Sequence, residues 1–181
     1  MTTVTINNKK FVKSLPDEVI QAHIKEVAAK INRDWKGERP IFLCVLNGAF
    51  VFAADLVRKV DLECDVAFVK LASYSGLSST GHIREIMGLN IDVTNRVVII
   101  VEDIVETGLT MSHMIETLKA QNPKAVKVAT LLTKPDRLKV EVPLDYVAFE
   151  IPNDFIVGYG LDYDGLGRNL PDIYTLAEEE K

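Results

Sequence analysis

The sequence predicts an α/β fold with a parallel, twisted sheet flanked by helices. Several short runs are almost wholly apolar and lack polar alternation, which is typical of strands buried on both faces. Segments with the apolar spacing of amphipathic helices separate these runs, and such alternation of strands and helices is typical of a parallel sheet. The predicted strands lie near residues 41–46, 64–71, 97–101 and 126–132.

Length and composition narrow the class of protein. The 181 residues suffice for one domain with a substantial core. The net charge of −5 counts against a nucleic-acid-binding surface. No apolar stretch approaches the ~18–20 residues of a membrane span, and the first residues lack the pattern of a signal peptide. Cys44 and Cys64 each lie in an apolar run, which predicts buried thiols in a reducing cytoplasm rather than a disulfide.

The N-terminal part predicts a short strand region followed by a helix. Residues 1–12 show weak strand alternation, and the apolar spacing over residues 19–35 predicts an amphipathic helix. Ser14, with Asp17 three residues later, predicts the cap at the start of this helix. Gly37 is expected to lie just beyond its end.

Two turns follow the first two predicted strands of the sheet. Asn47 and Gly48 connect strand 41–46 to a helical pattern, so their backbone N–H groups could hold a phosphate group, although a plain β–α connection is an equal alternative. Residues 73–84 are small, polar and glycine-rich and have no helix or strand period. This composition predicts a mobile segment, either a surface hairpin or a lid over a site.

The segment over residues 97–112 is the strongest functional signal. The apolar strand is followed by Glu102 and Asp103, then by a turn with Thr107, Gly108 and Thr110, and then by a helical pattern. A turn of free amides at a helix N-terminus is an anion site. The two acids would repel a phosphate alone but would suit a ribose diol or Mg²⁺. A ribose 5-phosphate satisfies both features, whereas the Walker and dinucleotide-binding patterns are absent.

Further polar residues follow the last strands. Lys134 follows the predicted strand 126–132, so it would share a sheet edge with the acids, and Tyr146–Glu150 predicts one more strand. On pattern alone, Phe155 is a core residue and Asp162 a carboxylate in a loop.

Residues 97–110 resemble the 5-phosphoribosyl-diphosphate (PRPP) signature of the purine phosphoribosyltransferases. From about Pro40 to Leu170 the chain resembles the hypoxanthine-guanine phosphoribosyltransferases, of the type I fold. The resemblance implies transfer of phosphoribose from PRPP to N9 of hypoxanthine or guanine, giving IMP or GMP and pyrophosphate in purine salvage. It also implies a single domain over 1–181, with a core at about 37–150 and a small hood formed by about 1–15 and 151–175.

The resemblance implies a role for each matched position. Glu106 would be the catalytic general base, in place of the usual aspartate of the family. The ribose and 5-phosphate would be held by Glu102, Asp103, Thr107, Gly108, Leu109 and Thr110. The pyrophosphate would be held by Asn47, Gly48 and Arg168. The resemblance also implies a cis peptide bond at Leu46–Asn47. The family often has a basic residue at the position of Asn47. The lid would carry Ser73 and Tyr74. The purine would be bound by Lys134, Phe155, Ile156 and Asp162, and Mg²⁺ by Glu102, Asp103 and Asp162.

The resemblance further implies PRPP and a 6-oxopurine as ligands, Mg²⁺ as cofactor, no nucleic-acid or membrane partner, a cytoplasmic location and a homodimer or homotetramer. Three alternatives stay open: a xanthine-preferring relative, a PRPP-sensing regulator that binds nucleic acid, and an α/β domain without catalysis.

Overall fold

The computed structural model describes residues 2–73 and 83–177, and its centre is a six-stranded sheet. Five neighbouring strands run parallel, and the edge strand β5 is antiparallel to β4. The order across the sheet is β5-β4-β3-β6-β7-β8. The bounds are β3 (Ile41–Leu46), β4 (Asp65–Ser73), β5 (Ile83–Met87), β6 (Val97–Val105), β7 (Ala125–Thr133) and β8 (Tyr146–Glu150). The predicted fold class is confirmed.

Helices cover both faces of this sheet. They are α1 (Asp17–Asp34), α2 (Phe50–Val57) and α3 (Leu109–Lys119), and a 3₁₀ turn spans Pro135–Arg137. Ile99 of β6 packs in the core beneath α1 and α2, while its neighbour Ile100 packs in the core beneath α3, and both are fully buried. Because consecutive side chains enter different cores, the strand has no polar alternation. Within the described residues, no helix has the length and apolar character that crossing a membrane requires.

A second, antiparallel sheet joins the N-terminal and C-terminal segments and is called the hood below. Its order is β1-β2-β10-β9. The bounds are β1 (Thr3–Ile6), β2 (Lys9–Leu15), β9 (Ile156–Val157) and β10 (Ile173–Leu176). Its small buried core is formed by Ile6, Phe11, Val157 and Tyr174. The hood thus closes only when residues from opposite ends of the chain meet.

The predicted cap of α1 is wrong. Ser14 lies inside β2, and its hydroxyl donates a hydrogen bond to the carbonyl of Ile173 at 3.2 Å. The backbone N–H of Asp17, the first residue of α1, instead donates to Asp172 Oδ1 at 2.9 Å. A carboxylate beside a helix N-terminus satisfies a free N–H and complements the helix dipole. The cap therefore comes from a residue 155 positions away.

The central strand β6 is longer than its apolar run. It continues to Val105, and Glu102 and Ile104 remain in register with Thr130 and Leu132 of β7. The expectation that the strand ends at Val101 is wrong because backbone pairing with β7 continues where the side chains become polar. The acids accordingly lie on a rigid strand rather than in the following turn.

Candidate active site

The turn between β6 and α3 presents free backbone donors. Gly108 adopts a left-handed conformation, with φ of 78°, and a Cβ there would lie 2.9 Å from the carbonyl oxygen of Val140. Only glycine fits such a position without strain. Within the described chain, the amides of Thr107, Gly108 and Thr110 donate to no protein acceptor. The turn therefore leaves several N–H groups, together with the positive end of α3, available to an anion.

A cavity of about 260 Å³ lies over this turn. It is lined by Glu102, Ile104, Val105, Glu106, Thr107, Gly108, Thr110 and Met111. Of the residues predicted to bind the ribose and 5-phosphate, all line this cavity except Asp103 and Leu109, and the side chain of Leu109 is half-exposed.

A second cavity, of about 340 Å³, adjoins the first, and both are lined by Glu102, Ile104 and Thr110. Its other lining residues are Val45, Leu46, Asn47, Gly48, Asp103, Asp162 and Arg168. The peptide bond between Leu46 and Asn47 is cis, which confirms the implied geometry. The two cavities form a trough with the turn between β6 and α3 at one end and the 46–48 turn at the other.

Glu102 lies where the two cavities meet, and Asp103 lines the second one. Burial, together with the neighbouring Asp103 carboxylate, raises the pKa of Glu102 well above its ordinary value. Asp103 packs directly on Gly48, since a Cβ at that glycine would lie 1.6 Å from Asp103 Oδ2. Two carboxyl groups this close repel each other when both are ionised, so hydroxyl donors or a cation would stabilise them.

A loop after β9 supplies the far wall of the second cavity. Arg168 Nη2 lies 2.6 Å from Asp162 Oδ1, and Arg168 Nη1 donates to the carbonyl of Gly160 at 2.7 Å. The N–H of Gly165 donates to the other oxygen of Asp162, also at 2.7 Å. These contacts hold the guanidinium in a defined place facing the 46–48 turn, where a diphosphate could contact it.

The structure joins the predicted general base to the predicted purine-binding lysine. Lys134 Nζ donates to Glu106 Oε1 at 2.5 Å. The lysine is 6% exposed, whereas the side chain of Glu106 is 40% exposed. The residue before the lysine, Thr133, donates its hydroxyl to the carbonyl of Val105, so the ends of β6 and β7 are tied together beneath the pair. A buried ammonium and an accessible carboxylate are thus available side by side.

The hood presents an aromatic ring and a free strand edge. Phe155 is 47% exposed, and its ring meets Tyr163 edge-on, with 5.5 Å between the ring centroids. The carbonyl of Phe155 accepts a hydrogen bond from Leu176 N–H, and successive residues of a strand direct their backbone groups to opposite edges. The backbone of Ile156 is therefore directed to the unpaired edge of β9. A flat, polar-edged ligand could use both features.

Comparison with known proteins shows the family of the chain. The family model described as phosphoribosyl transferase domain matches residues 14–164. The chain belongs to the phosphoribosyl transferase family. Its relatives include the hypoxanthine-guanine phosphoribosyltransferase of Aquifex aeolicus, which is 40% identical over 96% of this chain and 98% of the relative.

Solved structures agree with this assignment. The hypoxanthine-guanine phosphoribosyltransferase of Bacillus anthracis, whose structure holds a HEPES molecule in the active site, has a TM-score of 0.87 at 38% identity. That similarity covers 92% of this chain and 96% of the other. A hypoxanthine phosphoribosyltransferase from Staphylococcus aureus has the same TM-score and identity and covers 91% of this chain and 90% of the other.

Not every predicted residue of this phosphoribosyl transferase is brought to the trough. Leu109, Lys134, Phe155 and Ile156 line neither cavity. Lys134 contacts the trough through its hydrogen bond to Glu106, whereas Phe155 and Ile156 lie in the hood. Ser73 is the last residue of β4, and Tyr74 lies outside the described residues, so the predicted lid stays a prediction.

Among the described residues, no group of three or more His, Cys, Asp or Glu side chains is arranged to hold a metal ion. Glu102, Asp103 and Asp162 line one cavity without forming such a group. Mg²⁺ usually keeps several waters and is bound by one or two carboxylates together with phosphate oxygens. The donors present therefore fit Mg²⁺ that arrives with a diphosphate better than a permanently bound ion.

Gly160 and Val140 shape the trough, and neither residue was predicted from the sequence to do so. Gly160 packs on Gly48, since a Cβ at Gly160 would lie 2.2 Å from the carbonyl oxygen of Gly48. Val140 supports Gly108 from behind. The two glycines at 158 and 160 indicate close backbone packing, but only the tertiary structure shows that Gly48 is the residue packed against Gly160.

Proposed function

We propose that this chain transfers the 5-phosphoribosyl group from PRPP to N9 of hypoxanthine or guanine, releasing pyrophosphate. The observation that supports this most is the trough itself, with free amides at one end and Arg168 with the 46–48 turn at the other. A ligand that carries a phosphate at each end and hydroxyl groups between them matches that order of donors and acids. The family membership and the names of the relatives support the same activity.

In this proposal, PRPP lies along the trough. The 5-phosphate accepts hydrogen bonds from the amides of Thr107, Gly108 and Thr110, in the position that a helix N-terminus favours. The ribose hydroxyls donate to Glu102 and Asp103, which relieves the repulsion between these two carboxylates.

The pyrophosphate would occupy the second cavity. It would contact the backbone of Asn47 and Gly48 and the guanidinium of Arg168, which carries a permanent positive charge. When bound, Mg²⁺ would neutralise part of the charge that develops on the leaving pyrophosphate. Glu102, Asp103 and Asp162 are the carboxylates available to it, directly or through water.

The purine would enter between the trough and the hood. Its face would lie on Phe155, and the backbone of Ile156 would pair with its edge. Lys134 would donate to the 6-oxo group, which an adenine lacks, and this contact supports a preference for 6-oxopurines. When the purine binds, Lys134 would exchange its hydrogen bond to Glu106 for one to the purine.

Glu106 then stands free to act as the general base. As N9 of the purine attacks C1′, the bond from C1′ to the pyrophosphate oxygen breaks and its electron pair leaves with pyrophosphate. The proton on N7 passes to the Glu106 carboxylate. The glutamate is one methylene longer than the family's usual aspartate, and its 40% exposed side chain has room to swing from Lys134 towards the purine.

A spectrophotometric assay tests the proposal. With PRPP and Mg²⁺, we expect turnover of hypoxanthine and guanine, with kcat/KM at least about tenfold above that for xanthine and no turnover of adenine. Ribose 5-phosphate in place of PRPP is the control and should give no product. Preferred turnover of xanthine would contradict the proposed base, and PRPP binding with no turnover of any purine would contradict the proposed activity.

We further propose a homo-oligomer. Val66 and Phe68 of β4 pair with Phe42 and Cys44, so they project from the sheet face that α2 covers. They nevertheless remain 44% and 43% exposed, like Phe50 on α2 at 44%. A second copy of the chain could cover this apolar edge. Light scattering should give a dimer or tetramer, and Phe68→Glu should shift the mass towards the monomer; an unchanged mass would place the interface elsewhere.

A further inference from the structure

The pyrophosphate side of the trough is built from two backbone segments that contact each other. A Cβ at Gly160 would lie 2.2 Å from the carbonyl oxygen of Gly48, and a Cβ at Gly48 would lie 1.6 Å from Asp103 Oδ2. The loop after β9, the 46–48 turn and the acid on β6 are therefore in van der Waals contact without intervening side chains. A shift of Gly160 would move the carbonyl it packs on and the Arg168 that donates to it.

The residue beside Gly160 is anchored to the helices. Tyr159 is 2% exposed, and its hydroxyl donates to Asp55 Oδ2 of α2 at 2.5 Å and accepts from Gln21 Nε2 of α1 at 3.2 Å. Burial, followed by the hydrogen bond to Asp55, raises the pKa of this tyrosine, so the hydroxyl stays a donor. Lys59 donates to Gln21 Oε1 at 2.6 Å and completes the network.

The same helix also anchors the other segment. Helix α2 begins at Phe50, directly after the turn, and the N–H of Phe50 donates to the carbonyl of Asn47 at 3.3 Å. One end of α2 thus holds the 46–48 turn, and Asp55, one and a half turns further on, holds Tyr159 and with it Gly160. The helix sets the distance between the two walls of the cavity.

We propose that Tyr159, through its hydrogen bond to Asp55, is a positioning residue for the pyrophosphate subsite. It contacts no ligand itself, but it sets the spacing between the turn at Gly48 and the loop that carries Arg168. The inference rests on the proposed function for the identity of the ligand, and on the contacts above for the geometry.

Tyr159→Phe removes the hydroxyl and keeps the ring. A hydrogen bond contributes about 0.5–1.5 kcal/mol, so we expect KM for PRPP to rise about threefold to tenfold while KM for hypoxanthine stays near the wild-type value. Tyr146→Phe is the matched control, because that buried hydroxyl donates to Asp34 and accepts from Trp35 and lies outside the trough. It should lower stability comparably and leave both KM values unchanged.

Variants of the partner give an independent readout. Asp55→Ala should reproduce the selective rise in KM for PRPP even if the tyrosine variant folds poorly, whereas Asp55→Asn keeps an acceptor oxygen and should retain most of the wild-type behaviour. Calorimetric titration with magnesium pyrophosphate should show weaker binding for Tyr159→Phe and Asp55→Ala only.

The outcomes separate this inference from the proposed function. Absence of turnover by the wild-type protein contradicts the function but leaves the titration as a test of the subsite. Wild-type turnover with equal changes in both KM values, or the same selective change in Tyr146→Phe, overturns the positioning role of Tyr159.

Discussion

Replacement of Gly48 by alanine separates the stability of the fold from the activity of the site. The new Cβ would lie 1.6 Å from Asp103 Oδ2 and 2.5 Å from its Cγ. Nonbonded heavy atoms settle near 3.5 Å, so the carboxylate has to withdraw by about 2 Å. It is the end of a flexible side chain and can rotate away, at the cost of the hydrogen bond that Asp103 Oδ1 accepts from Ile104 N–H.

The expected energies differ for folding and for catalysis. Loss of one hydrogen bond costs about 0.5–1.5 kcal/mol, which for this size of protein lowers Tm by a few degrees, about 2–4 °C per kcal/mol. A displacement of about 1 Å in a reacting group can cost about 100-fold in rate, so kcat/KM for PRPP should fall at least about 100-fold in Gly48→Ala.

Steady-state kinetics with PRPP and hypoxanthine, together with a thermal melt, provide the assay. Gly37→Ala is the control, because nothing lies within 4 Å of its added Cβ and the residue precedes β3 at the opposite edge of the sheet. Unlike Gly48, this glycine has a positive φ, of 85°. It should lose about 1–2 kcal/mol of stability through backbone strain and keep full activity. If Gly48→Ala retained kcat/KM within about threefold of this control, the packing of Asp103 on Gly48 would not position the ribose.

Three further predictions each concern one ionisable side chain. Glu106→Gln should lower kcat far more than it changes KM for PRPP, and an unchanged kcat would place the general base elsewhere. The hydrogen bond from Lys13 holds the pKa of Asp172 below its usual range, so its stabilisation is present at neutral pH and is lost as pH falls through that lowered pKa. In urea unfolding at neutral pH, Asp172→Asn should therefore have a lower free energy of unfolding than wild type, and the two values should converge in acid. A difference that stays constant with pH would refute the ionic contribution. Burial raises the pKa of the Cys44 thiol to about 12, so mass spectrometry after alkylation should find it labelled only in the denatured protein.

The strands of the sheet were predictable because both of its faces are buried. Ile99 and Ile100 are adjacent and both are fully buried, so the local sequence had to be apolar at every position. The end of the strand was not predictable by the same signal, since Glu102 and Ile104 pair with β7 whatever their side chains are. Hydrogen bonding of the backbone, rather than hydrophobicity, decides where β6 ends.

The candidate site was predictable where its residues are contiguous. The acids lie near the end of one strand and the turn before α3 follows that strand, all within nine positions, so their local order predicts a sugar-phosphate site. The contact between Lys134 and Glu106 joins residues 28 positions apart, and that between Gly160 and Gly48 joins residues 112 positions apart. No local pattern distinguishes these partners from any other lysine, acid or glycine.

The amino-acid sequence alone determined the parallel sheet, the glycine turn before α3 and the acids beside it, because each depends on neighbours along the chain. Only the tertiary structure decided that Asp172 caps α1, that Glu106 pairs with Lys134 and that Tyr159 ties the loop after β9 to α2. These contacts join distant segments, and their geometry depends on how strands and helices pack rather than on the residues adjacent to each group.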